Sequence, residues 1–131
     1  MSVFTQIIQG DLPGHFVFED ELCVVILTIQ PATVGHLLVI PREEIDHWDD
    51  LPDMLASHLI CVAKKMAKAL KVAYPSQRVG LMIAGLEVPH THIHVMPINA
   101  LSDLNITHIP FADSSQLANV AETIRQALTS I

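Results

Sequence analysis

Basic residues are scarce in this chain: seven Lys and Arg face fourteen Asp and Glu, for a net charge of −7. A groove that follows a nucleic-acid backbone needs clustered cations to displace counterions. The one cluster, Lys64, Lys65, Lys68 and Lys71, has helical spacing and reads as the wet face of a helix. No nucleic acid is expected as a partner. Long apolar runs are missing too. The greasiest stretches, 22–29 and 79–86, fall far short of the roughly 20 residues that a membrane-spanning helix needs, so no membrane partner is expected. Cysteine is limited to Cys23 and Cys61, far apart and each within an apolar run, and no Cys-x-x-Cys pair occurs. Two buried free thiols in a reducing compartment are expected rather than a disulfide. The segment MSVFTQIIQGDLPG lacks the basic patch, apolar core and cleavage site of a signal peptide. A cytoplasmic location is the corresponding expectation.

Linkers, repeats and low-complexity segments are also absent, so residues 1–131 read as a single domain. Only 16% of the chain is charged while half is apolar, and the mean hydropathy is +0.42. That excess of apolar surface predicts a buried subunit interface, and hence a homodimer.

The pattern along the chain predicts strands over 15–20, 23–29 and 36–40, the last stopped by Pro41. From about Asp50 to Lys71, Leu55, Leu59, Val62, Met66 and Leu70 recur every three or four residues, which is a core-facing helix. Residues 79–84 and 88–96 return to strand character through Gly85, and a second helix covers about 114–128. Short turns between strands argue for an antiparallel sheet and the α+β class.

Within VPHTHIHVMP, His90, His92 and His94 occupy alternate positions, so in a strand they would share one face. Thr91, Ile93 and Val95 would point the other way. As filler, three imidazoles would leave up to six ring nitrogens needing partners. A solvated row is the bland alternative, and a metal site is another, since imidazole is a common ligand. A nucleophilic site is the third reading: a neutral imidazole attacks phosphorus well, provided that a neighbour fixes its tautomer and donors hold the phosphoryl oxygens.

HTHIHVM resembles the motif of the histidine triad (HIT) family. FTQIIQGDLPGHFVFED and QPATVGHLLVIPRE are similar to that family's N-terminal and second blocks, so three blocks in order cover Phe4 to Pro97. The resemblance implies a five-stranded antiparallel sheet with one long helix and a C-terminal helix, paired as a homodimer into a continuous sheet. It implies a hydrolase or transferase of nucleoside monophosphates, of phosphoramidase or dinucleoside polyphosphate hydrolase type. Carried over position by position, His92 would be the nucleophile that forms a nucleotidyl-histidine. His94 would bond the phosphate or leaving group, His90 would orient the site, and His36 would complete the imidazole network. Phe4, Ile7 and Ile8 match positions that line the base pocket.

This chain departs from the pattern at several of those positions. Thr28 stands where an acid usually grips the ribose. Leu86 and Glu87 replace the Gln-Ser/Thr approach to the triad, and Val79 lies near a usual asparagine. If strand alternation reached back that far, Leu86 would share the histidine face and Glu87 would point away. Zinc-containing branches of the family carry two cysteines and a histidine at positions that here hold Ser2, Thr5 and Glu44, which speaks against a structural zinc. No cofactor is required by the chemistry, and magnesium would enter only with polyphosphate substrates. A catalytically weak nucleotide-binding or scaffolding dimer is the alternative reading. His15, His58 and His108 read as surface residues.

Overall fold

The computed structural model covers Met1–Ile131. Its strands are β1 (Phe16–Glu19), β2 (Cys23–Leu27), β3 (Leu37–Pro41), β4 (Arg78–Met82) and β5 (Ile93–Ile98). Its helices are α1 (Val3–Ile8), α2 (Asp53–Ala73) and α3 (Ser114–Leu128). The five strands form one antiparallel sheet in the order β1-β2-β3-β5-β4, with α2 carrying the chain from β3 to β4. The fold is α+β, as expected, and no helix is long and apolar enough to cross a membrane.

Every residue of β2 and β3 is buried, because both faces of the sheet are covered. Val25, Leu37, Val39, Ile93 and Val95 meet Leu59, Val62, Met66 and Leu70 of α2 and Leu117 and Ile124 of α3 in the larger core. The opposite face carries Val24, Ile26, Leu38 and Ile40, capped by Phe4 of α1 with Ile7, Ile8, Phe16 and Val88 around it. His36 and His94 lie on this second face, His94 opposite Leu38 in the β3–β5 register.

Three expectations need correction. Cys61 is exposed while Cys23 is buried, because Cys61 sits between the core-facing Leu59 and Val62 on the flank of α2 that turns to solvent. The strand expected over 88–96 starts only at Ile93, and the one expected over 79–84 ends at Met82. Between them Gly85 takes a φ of +78°, a conformation that breaks the alternation of a strand. One further element, α1, answers to no expectation. It is six residues long and is capped by Ser2, whose Oγ accepts the Thr5 N–H.

Candidate active site

His36, His90, His92 and His94 are all buried at the end of the sheet's second face. Fixed partners decide which nitrogen of each ring carries the proton. The Pro41 carbonyl can only accept, so His90 donates Nε2–H to it at 2.8 Å. Burial lowers the pKa of His90 and so favours the neutral ring, in which the bare Nδ1 accepts from Ser2 Oγ at 2.7 Å. The His90 carbonyl in turn accepts Nδ1–H of His92 at 2.7 Å. In the neutral ring the lone pair of His92 therefore lies on Nε2.

The other pair follows the same logic. The Ala32 N–H donates to His36 Nδ1 at 3.0 Å, which leaves the His36 proton on Nε2. That proton goes to His94 Nδ1 at 2.9 Å, so His94 carries its own proton on Nε2. Burial holds His36 at a pKa of about 4. Burial, and then the neighbouring His36 and His92, hold His94 at about 3. His94 Nε2 is the one buried side-chain polar atom without a hydrogen-bond partner. A buried N–H that lacks an acceptor is costly, and such groups mark ligand positions.

His92 and His94 line a cavity of about 520 Å³, which falls in the size range of small-molecule sites. Phe4 and Ile7 of α1 form an apolar wall, and Phe4 meets the His92 ring edge-on at a centroid distance of 5.0 Å. Thr28 and Glu87 also line the cavity, whereas no lysine or arginine does. Two expected residues fall outside it. Leu86 is 94% exposed, because the turn at Gly85 frees the lead-in from strand alternation, and it is Glu87 that faces the cavity. Ile8 packs on the small core behind α1.

Other lining residues were not read from the sequence. His15 is half-buried at the cavity, 3.5 Å from Ser114 at the start of α3, rather than on the surface. Phe111 lines it too, although 72% exposed. Its segment is tied to the end of β2 by Ala112 N–H to the Ile29 carbonyl and by Gln30 Nε2 to the Ile109 carbonyl, both at 2.8 Å. Such approaches join residues some eighty positions apart and leave no local signal.

Asp20, Cys23 and His58 offer three donor atoms within 4.8 Å of one another. They already bond one another and the turn rather than standing open for an ion. Asp20 accepts from the Leu22 and Cys23 amides and, at 2.7 Å, from His58 Nε2. Burial works to raise the Asp20 carboxyl, but these bonds outweigh it and hold the group at about 2. Burial and the Asp20 charge push the Cys23 thiol up to about 12. The group reads as a lock between the β1–β2 turn and α2, and His58 is half-buried within it rather than free on the surface.

The family model described as HIT domain matches residues 9–101. The chain is 40% identical to an uncharacterised HIT-like protein of Borreliella burgdorferi, over 72% of this chain and 73% of that one. It is 33% identical to an adenosine 5′-monophosphoramidase of Saccharomyces cerevisiae, over 72% of this chain and 61% of that one. Among solved structures, it is similar to a zinc-bound histidine triad family protein of Mycobacterium smegmatis, with a TM-score of 0.83 and 28% identity over 98% of this chain and 93% of that one.

Proposed function

The chain belongs to the histidine triad family, and from that premise we propose that it is a nucleoside-phosphate hydrolase or nucleotidyl transferase working through a covalent intermediate on His92. The observation that carries this reading is the pairing of a bare His92 Nε2 with the orphan His94 Nε2–H at one apolar cavity. His92 Nε2 attacks the α-phosphorus and forms a P–N bond as the bond to the leaving amine or phosphate breaks. A non-bridging oxygen accepts a hydrogen bond from the His94 N–H, and the leaving group departs with a proton drawn from solvent, which the water that attacks in the second step gives back. Water then attacks phosphorus, releasing the nucleoside monophosphate and returning the bonding pair to His92. His36 keeps the His94 proton on Nε2, the nitrogen that has no partner within the protein. The nucleoside moiety lies against Phe4 and Ile7, with Thr28 and Glu87 at its polar end.

The S. cerevisiae relative named as a phosphoramidase supports nucleoside phosphoramidates as the substrate class. None of these steps calls on a metal, and the protein acts as a cytoplasmic homodimer. A non-catalytic nucleotide-binding dimer draws on Thr28, which offers the ribose a hydroxyl in place of a carboxylate. Turnover separates the two readings. Nucleoside phosphoramidates and dinucleoside polyphosphates are supplied to the protein and to His92→Ala, and nucleoside monophosphate release is followed. Release by the wild type alone is the expected result. Tight binding without release by either protein would overturn the enzymatic reading.

A further inference from the structure

Ser2, Thr5, Glu44 and His90 meet beside the triad, and none of the four lines the cavity. Glu44 Oε1 accepts the Ser2 N–H at 2.6 Å and the Thr5 hydroxyl at 2.7 Å. Thr5 has thereby spent its proton. The Ser2 hydroxyl accepts the Thr5 N–H at 3.0 Å and has one proton of its own to give. His90 Nδ1 at 2.7 Å is a closer acceptor for it than Thr5 Oγ1 at 3.3 Å. The donor chain closes without a spare group: Glu44 fixes Ser2 and Thr5, Ser2 fixes His90, and His90 fixes His92 through its carbonyl.

The resemblance implies that zinc-containing branches of the family carry two cysteines and a histidine where this chain has Ser2, Thr5 and Glu44, and the M. smegmatis neighbour is zinc-bound. Two hydroxyls and a carboxylate that already accepts two hydrogen bonds do not fit a structural zinc, which takes closed sets of Cys and His. We infer that the Ser2–Thr5–Glu44 cluster does by hydrogen bonds what a metal would otherwise do, seating α1 and setting the tautomer and place of His90 so that the His90 carbonyl aims His92. The three are positioning residues, and their role rests on His92 being the nucleophile.

Two features of the fold make such a device necessary. A six-residue helix is too short to hold itself together, yet α1 carries Phe4, whose ring lies edge-on to both His90 and His92. The loop that leads into His92 belongs to no strand; the Thr91 N–H and hydroxyl tie it to the Ile45 carbonyl, and the His90 ring is fixed by Pro41 on one side and Ser2 on the other.

The test compares Ser2→Ala, Ser2→Thr and Glu44→Ala in the full chain. Ser2→Ala removes both the donor to His90 Nδ1 and the cap on the Thr5 N–H, while Glu44 stays bound to the residue-2 backbone and to Thr5 and keeps α1 anchored. Nucleotidylation of His92 is expected to slow about tenfold with KM within about twofold. Glu44→Ala releases α1, so KM rises as well. Ser2→Thr keeps the hydroxyl and restores the rate. ¹⁵N NMR of the imidazoles supplies a readout independent of turnover. The wild type is expected to show His90 as the pure Nε2–H tautomer, and Ser2→Ala a mixture. Purified wild type is expected to carry no stoichiometric zinc by elemental analysis. A Ser2→Ala protein with unchanged rate and unchanged His90 signature overturns the inference, as does stoichiometric zinc whose removal slows the wild type. If the wild type never labels His92, it is the nucleophile assignment that fails. The His90 signature still reports on the cluster itself.

Discussion

At the scale of single residues, the unpaired His94 Nε2–H is the most telling group, because it is buried and no group of the protein accepts its proton. It should act only when a phosphoryl oxygen arrives. His94→Ala is expected to lower kcat by about a hundredfold, the size of a lost oxyanion donor, in single-turnover assays. An effect confined to KM would place His94 in binding alone. The same burial makes stability depend on pH. His36 and His94 are held at about 4 and about 3, whereas imidazoles in an unfolded chain titrate near 6.5. Between those values the unfolded state binds more protons, so stability is full above pH 6.5 and falls as pH drops toward 4. His36 alone contributes roughly 3 kcal/mol to that loss. The carboxyls of Asp20 and Glu44, held at about 2, release their contributions mostly at lower pH. Denaturant titrations at pH 7 and 4.5 therefore isolate the histidines, and equal unfolding free energies at the two would contradict this assignment.

At the scale of elements, α2 was legible because Leu55, Leu59, Val62, Met66 and Leu70 repeat over a long span and all meet the core. Met66→Ala is expected to cost about 2–5 kcal/mol by urea unfolding, against about 0.5 for Lys68→Ala on the wet face. The triad was legible as a row, since His92 and His94 do lie side by side with ring centroids 5.0 Å apart. Its lead-in was not, because a positive φ at Gly85 cancels the period-two rule on which the placement of Leu86 and Glu87 rested. A Cβ at Gly85 would touch nothing within 4 Å, so Gly85→Ala isolates the backbone effect and should cost about 1 kcal/mol. Helix α1 escaped notice for another reason. Six residues hold too little periodicity, and what stabilises them is a bond from Ser2 to Glu44, forty-two positions away.

At the scale of the whole molecule, the sheet has two edges. β1 is braced by α3, whose Arg125 donates to the Phe16 carbonyl at 2.7 Å, whereas β4 has only β5 beside it and leaves Leu81 45% exposed. An open, apolar edge invites pairing with a second copy, so light scattering should give twice the chain mass and Leu81→Lys should shift it toward the monomer. With a net charge of −7 and no lysine or arginine at the cavity, an anionic substrate would be held by local donors rather than drawn in from a distance. The proposed chemistry turns on one bond, between His92 Nε2 and phosphorus. Its direct measurement is the intact mass of the protein, quenched with base during turnover of a nucleoside phosphoramidate. The account predicts a gain of one nucleotidyl group in the wild type and none in His92→Ala. A wild type that turns over substrate with no such gain, or a His92→Ala protein that gains it, would contradict it.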